Sequence, residues 1–379
     1  MPPVRVLCIT PFGPSGKGGI DRLYFYLRQL PADEAMPGVD LRFAYSRGSA
    51  SGNRWILAFP VVLARIRDNL RRFRPHVVHI NFATGGSLPR KFAVLRLAKA
   101  HGARVVVHFH GQFIEDKIAK RTLAGRLFKA IATQADMVIA LGQVHARAFE
   151  RIGVAPERIT IVPNGIPDFA GESVLPKPEA RPLAILFSGL LTENKGMHVL
   201  ISALAKLRKS REDWHCIAAG NGEVARYTEM AHQACLTDRT TFTGWLEADA
   251  MHDYMRKADV VVLPSRTEAL PLSLIEGACA GAALIATAVG NVGDIVENDV
   301  SGYLVPRDAD ALASALCRLA TDRELLHRMQ GASRQAYLDK FTLASFARNL
   351  REVYLSASRS SDSNASSLST ADGDRDADR

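Results

Sequence analysis

Five cysteines are spread through 379 residues (Cys8, Cys216, Cys235, Cys279, Cys317), and no two form a C-x-x-C pair. This scatter argues against a disulfide framework and against a zinc site, and favours buried thiols in a reducing compartment. Long apolar runs are missing too. The longest, WILAFPVVLA (55–64), is too short to span a bilayer and contains Pro60. The opening MPPVRVLCIT passes directly into a strand, without the apolar core and cleavage site of a signal peptide, so a cytoplasmic location is expected. Its cationic segments are not interleaved with aromatic platforms and no recognition motif is present, which speaks against nucleic acid as a partner. D-x-D occurs only in DAD (308–310), which is placed to cap a helix, and in DGDRDAD (372–378) near the C-terminus. Neither is a credible metal–phosphate site, and no metal or cofactor is expected.

What is present is the composition of a soluble globular protein, 47% hydrophobic and 23% charged, on a chain too long for one ordinary core. The net charge of +9 is uneven: residues 1–170 hold 25 Lys/Arg against 11 Asp/Glu, the remainder 23 against 28. The segments RIRDNLRRFR (65–74) and KIAKRTLAGRLFK (117–129) pattern as helices with a cationic face beside an apolar one. Such faces rest on anionic lipid or are ordinary solvated surfaces. The first alternative would place the protein peripherally on the inner face of the cytoplasmic membrane.

Strand and helix patterns alternate twice. RVLCIT, VVHI, RVVVHFH, MVIAL and RITIVP are predicted strands of a first domain over residues 1–170. DFAGESVLPKPEARP is rich in Pro, Gly and charge, which predicts a linker over 171–182. LAILFSG, HCIAAG, TFTG, DVVVLP and ALIATA then predict a second parallel sheet over 183–340. An amphipathic helix follows over 341–355, and the Ser/Asp-rich end from 356 to 379 is expected to be disordered. The expected fold class is α/β, with two doubly wound Rossmann-like domains facing a cleft. Ligands of such sheets bind outside the carboxyl ends of the strands.

The candidate chemistry falls at those ends. In DVVVLPSRTEALPLSLIEG (259–277), Glu268 lies in the loop after a strand and Glu276 about a turn and a half into the next helix, with Pro271 near its start. The free N–H groups of residues 272 and 273 lie between the two acids, and a helix start attracts phosphate. Two acids flanking an anion suit a sugar nucleotide, one acid at the reacting sugar and one at a ribose hydroxyl. A solvated loop Glu and a surface helix Glu would look the same in isolation. FSGLLTENKG (187–196) ends a strand at Gly189 and brings Lys195 to a helix start, a locally unfavourable place unless both act on a shared anion. In VVVHFHG (105–111), period two puts His108 and His110 on one face and Phe109 on the other. A histidine there can serve a sugar hydroxyl, and satisfied structure is the competing reading. PFGPSGKGGI (11–20) is a glycine loop that fails both the P-loop and the dinucleotide fingerprints, with Pro11, Gly18 and Asp21 at the discordant positions.

Taken together, the loop ending in Gly18–Gly19, HFHG, VPNGI (162–166), SGLLTENKG, AAGNGE (218–223) and EALPLSLIE resemble the retaining glycosyltransferases of family 4 (group 1), over nearly the whole chain. The resemblance implies the GT-B fold and a metal-independent transfer of a sugar from a nucleotide diphosphate donor to a glycan or polyprenyl-linked acceptor. It implies that Lys195 binds the diphosphate, that Glu268 is the carboxylate nearest the chemistry, and that the backbone at Leu272 and Ser273 meets phosphate. It further implies that Glu276 holds the ribose, that His110 touches the transferred sugar, that Gly19 lets the acceptor-side loop close, and that the last helix crosses back to the first domain. Base contacts are expected around Gly220–Glu223 and Trp245. Two positions depart from the family pattern: Leu190 stands where an Arg is common, and Gly290–Asn291 where a glycine pair is usual, the Asn being expected to tolerate a left-handed turn. Nucleotide-sugar epimerases, glycan phosphorylases and non-catalytic sugar-nucleotide binders remain alternatives at this level.

Overall fold

The computed structural model describes residues 2–12, 19–31, 35–47, 55–84, 87–112, 118–171 and 181–359. Gly13, Gly16, Lys17 and Gly18 of the glycine loop, most of the linker, and the C-terminal segment from 360 lie outside them. The chain divides into two compact units, one of Met1–Pro163 with everything from Ala344 onward, the other of Asn164–Leu343.

In the first unit six parallel strands, β1 (Val4–Thr10), β2 (Val39–Tyr45), β3 (Val77–Phe82), β4 (Arg104–Phe109), β5 (Met137–Ala140) and β6 (Ile159–Ile161), take the order β2-β1-β3-β4-β5-β6. In the second, β7 (Leu183–Ser188), β8 (Trp214–Ala219), β9 (Thr240–Gly244), β10 (Val260–Leu263), β11 (Ala283–Thr287) and β12 (Gly302–Val305) take the order β12-β11-β10-β7-β8-β9. Central strands such as β3, β10 and β11 are buried along their full length, as helices on both faces require. β2 and β12 were not anticipated from the sequence. Both are edge strands; β2 carries Asp40 and Arg42, and β12 is only four residues long, so neither shows a continuous apolar run.

The core of the first unit contains an aromatic cluster. Phe109 meets Phe82 (5.1 Å between ring centroids) and Phe128 (5.0 Å), and Phe128 stacks on Phe149 at 6.0 Å. The final helix, Leu343–Arg359, buries Phe346, Ala347, Leu350, Val353, Tyr354 and Ala357, one stripe at helical spacing. Phe346 packs edge-on against Tyr24, and the Tyr354 hydroxyl lies 2.6 Å from His79 Nδ1. This helix runs to Arg359, so residues 356–359, expected to be disordered, extend its last turn instead.

The boundary at Pro163–Asn164 lies upstream of the composition-based linker. Residues 164–171 dock on the second unit because Ile166 pairs with Thr342 in a β-bridge and Arg334 clamps Asp168 with two hydrogen bonds of 2.9 and 2.6 Å. Among the described residues no helix is long and apolar enough to cross a membrane.

Candidate active site

In the second unit β7 and β10 are neighbours, although two strands separate them in sequence. The chain leaves them toward opposite edges of the sheet, and a crevice opens at such a switch point. The loops that follow these two strands carry Lys195 and Glu268. Lys195 Nζ lies 2.6 Å from Glu268 Oε1, and the Ser265 hydroxyl donates to the same oxygen at 2.6 Å. Glu268 is almost wholly buried, whereas the Lys195 side chain is about a quarter exposed (26%), so lysine is the more accessible partner.

Two glycines make this approach sterically feasible. Gly196, just before the helix Met197–Ser210, has φ +79°, and a Cβ there would sit 1.9 Å from the Pro264 carbonyl oxygen. The β7 loop therefore lies directly on the end of β10, and the Arg266 N–H fastens it to the Asn194 carbonyl at 2.7 Å. Gly290 has φ +56°, and a Cβ there would be 2.1 Å from the Glu268 carbonyl oxygen. The left-handed residue of this turn is Gly290. Asn291, expected to tolerate that conformation, has φ −97° and instead gives both its backbone N–H and its side-chain amide to the Ala269 carbonyl, at 2.9 and 3.1 Å. The loop after β11 thus braces the peptides flanking Glu268.

The helix Leu272–Cys279 begins immediately beyond, preceded by Pro271 and with no side-chain cap. Its first N–H groups, at Leu272 and Ser273, have no acceptor one turn back and keep the partial positive charge of a helix start. Glu276, its fifth residue, is buried (4% exposed). Gly189 follows β7 and donates its N–H to Ala219 O at 3.0 Å. On the β8 side, Leu191 pairs with Gly222, and Trp245 stands half exposed (51%) with its indole N–H directed at Glu247.

Two arginines at this edge were not singled out from the sequence. Arg266 pairs with Glu193 at 3.2 Å, and Arg307 donates to the Glu193 carbonyl at 2.6 Å. They flank the loop that carries Leu190 and Lys195. Each is an isolated cation after a strand, a pattern that carries no signal by itself.

His110 and Gly19 belong to the other unit. Gly19 is the exposed first residue of the helix Gly19–Gln29, whose Asp21 is buried and accepts the Phe12 N–H at 3.0 Å. His110 follows β4 half-buried, with Nε2 2.8 Å from Asn81 Oδ1. His108 shares its face, the rings being 3.9 Å apart, while Phe109 enters the aromatic core on the other side. His108 is fully buried, stacked on His79 and within 3.2 Å of the Tyr24 hydroxyl. Burial pushes His79 down to about 3, helped by Lys91, and His108 well below its ordinary value, helped by the neighbouring histidines. His108 is thus a structural histidine, and His110 is the one of the pair placed nearer solvent.

The model for glycosyl transferases group 1 matches residues 174–336, and that for glycosyltransferase family 4 matches residues 23–168. The chain belongs to the family 4, group 1 glycosyltransferases. The chain is 30% identical to the glycogen synthase of Mycobacterium tuberculosis over 212 residues, 55% of this chain and 51% of that one. It is 25% identical to the amylovoran biosynthesis glycosyltransferase AmsK of Erwinia amylovora over 295 residues, 75% and 70% of the two chains. The first three curated matches extend over only about half the length of those relatives. Among solved structures it is similar to Anabaena HepE in complex with UDP, with a TM-score of 0.74 and 17% identity, covering 93% of this chain and 100% of that one. Its two six-stranded parallel sheets with flanking helices are those of the GT-B class.

Proposed function

We propose that this protein transfers a sugar, with retained anomeric configuration, from a UDP- or GDP-sugar to a glycan or polyprenyl-linked acceptor in cell-surface polysaccharide synthesis. The observation that carries the proposal is the contact of Lys195 with Glu268 beside an uncapped helix start, at the switch point of the second sheet. A departing nucleoside diphosphate gathers negative charge as the glycosidic bond breaks. A lysine and free helix N–H groups are preorganised to receive that charge, which favours the transition state over the ground state. The sugar becomes oxocarbenium-like, and the Glu268 carboxylate supplies the opposite charge. Glu276 serves the ribose, Gly189 lies on the donor side with Lys195, His110 touches the transferred sugar, and Gly19 lets the acceptor-side loop close over the diphosphate. The names of relatives in amylovoran and lipopolysaccharide synthesis and the UDP bound by HepE support the substrate classes.

The reaction is proposed to need no metal or cofactor. Asp308 of the DAD pattern accepts the Asp310 and Ala311 N–H groups as a helix cap, and Asp310 pairs with Lys206, so these carboxylates already have structural partners.

The test is incubation with candidate nucleotide sugars and acceptor glycans, reading free nucleoside diphosphate and new glycoside together. Lys195→Ala should lower kcat about tenfold to a thousandfold, the range for removing one preorganised donor. Turnover at the wild-type rate would remove Lys195 from the site. Product without diphosphate release would indicate a phosphorylase or an epimerase.

The proposed membrane association is electrostatic. The helix Trp55–Phe73 buries Ile66, Leu70 and Phe73 in its own core and exposes Arg65, Arg67, Arg71 and Arg72, which are the groups it offers lipid. Arg5, Arg42, Arg72 and Arg74 line one hollow of about 530 Å³ in this unit, and Arg96, Lys99, Arg104 and Arg158 contribute to another of about 580 Å³. Sedimentation with phosphatidylglycerol vesicles should carry the protein down at low salt and release it at high salt. Equal pelleting with neutral phosphatidylcholine would refute an electrostatic attachment.

A further inference from the structure

We propose that the hollow above the carboxyl ends of β10, β11 and β12 is a second binding site, in which Arg266 and Arg307 hold the carboxylate of a compact hydroxylated acid such as a hexuronate. The hollow has a volume of about 300 Å³, the small end of the range for ligand pockets. It lies in the second unit, on the β11–β12 side of the loop that carries Glu268. Arg266 follows β10 and Arg307 follows β12, so the two guanidinium groups reach it from different loops. Val289, Leu304 and Val305 give it an apolar wall, while Ser265 and Thr287 add hydroxyls. The protons of those hydroxyls are already committed: Ser265 donates to Glu268 at 2.6 Å, and Thr287 to the Ser265 carbonyl at 2.6 Å. Toward a ligand these oxygens can only accept, which calls for hydroxyl donors on its body.

The charge calls for a monoanion. Arg266 pairs with the Glu193 carboxylate at 3.2 Å, and Arg307 donates to the Glu193 carbonyl at 2.6 Å. Two guanidinium groups thus share one carboxylate and keep one unit of positive charge. Lys195 and Glu268 neutralise each other nearby. The Nε of Arg307 is buried and has no hydrogen-bond partner among the described residues. His198, 3.4 Å from Arg307, registers the field: its pKa is lowered by burial first and then by Arg307, with Arg226 and Arg266 adding to the effect and Glu193 opposing it. A guanidinium fork matches a carboxylate with two parallel hydrogen bonds, and the apolar wall favours an organic body over a bare phosphate. Glu193 and Arg266 are both more than half exposed, 57% and 60%, so the internal carboxylate can swing out and a ligand's can take its place. Glu193 is therefore the competitor for the site. The hollow and its charge are independent of what the nucleotide crevice transfers.

The probe is sodium D-glucuronate, followed by saturation-transfer NMR on the full chain at low salt. D-Glucose serves as the neutral counterpart, and inorganic phosphate, read as a competitor, as the bare anion. Glucuronate should bind in about the millimolar range, and glucose and phosphate at least about tenfold more weakly. Arg266→Gln and Arg307→Gln should each weaken glucuronate about tenfold, the worth of a hydrogen bond to a charged group. Glu193→Gln, which removes the competitor, should tighten it about threefold, the scale of an exposed ion pair. None of the three residues is fully buried, and melting temperatures near wild type check that the variants fold. Saturating UDP should leave the glucuronate signal in place. No binding of glucuronate, binding that survives both arginine changes, a Glu193→Gln protein that binds no tighter, or displacement by UDP would each overturn the site. Phosphate that competes as strongly as glucuronate binds would overturn its assignment to an organic acid.

Discussion

Glu268→Gln should nearly abolish sugar transfer, by at least about a hundredfold in kcat, while leaving the fold and nucleotide binding in place. The amide matches the carboxylate in size, so the packing around this almost fully buried side chain is kept. What disappears is charge. In the native site the carboxylate neutralises Lys195 at 2.6 Å and is itself oriented by the Ser265 hydroxyl. An amide offers Lys195 only a dipole, so the ammonium becomes more available to the diphosphate, and affinity for UDP or GDP should hold or rise. The developing positive charge on the sugar loses its counter-charge, so the barrier rises although the donor binds. This opposition separates a site residue from a merely structural one. Steady-state kinetics beside nucleotide titration reads both quantities. A kcat within threefold of wild type, or parallel losses of affinity and melting temperature, would reject the assignment.

Much of this arrangement was legible in the sequence because its parts are local. DVVVLP followed by a proline-led helix predicts a strand, a loop and a helix start, and Glu268 and Lys195 follow as loop residues at strand ends. The contact between them is not local. It depends on β7 and β10 being neighbours and on Gly196 lying against Pro264, which strand order and backbone dihedrals decide. Asn81 was missed for a related reason. One polar residue after VVHI looks like the end of a strand, and its partners Ile9 and His110 come from two other strands. At Gly290–Asn291, propensity identifies residues that tolerate a left-handed turn but not which of two neighbours adopts it; here Gly290 does. The edge strands β2 and β12 lacked the apolar runs that revealed the central ones. The helix cap at Asp308 was legible because the spacing of DAD matches a helix start, and Asp308 accepts the Asp310 and Ala311 N–H groups there.

Mild acid should destabilise the first unit well before the second. Burial holds His79 down to about 3 and His145 to about 4, and His108 is pushed well below its ordinary value, by burial first and then by His110, His79 and His145. All three stay neutral in the folded unit but take up a proton on unfolding once the pH falls below about 6.5. The unfolded chain then binds more protons than the native one, so stability is fully present above about pH 6.5 and declines as the pH falls toward the native values. Each histidine costs about 1.4 kcal/mol per pH unit in that window, or about 2 kcal/mol by pH 5. Three of them together reach the lower end of the stability of a typical domain, about 5 kcal/mol. Lys91, pushed down to about 7 by burial and by Arg90, acts in the same direction, adding stability as the pH rises from about 7 toward its unfolded value. In the second unit His198 and His215 are lowered while only partly buried, and the depressed carboxylates Asp168 and Asp213 lose their contribution only below about pH 4. Hydrogen exchange read by mass spectrometry at pH 7.5 and pH 5, corrected for the intrinsic rate, should show protection collapsing across β1, β3 and β4 while β7, β10 and β11 stay protected. His79→Gln, which removes one titrating ring, should flatten the dependence by about one proton, at the expense of the hydrogen bonds to Tyr24 and Tyr354. Equal loss of protection in both units, or a first unit indifferent to pH between 7.5 and 5, would show that these histidines are hydrated and already titrate in the native protein.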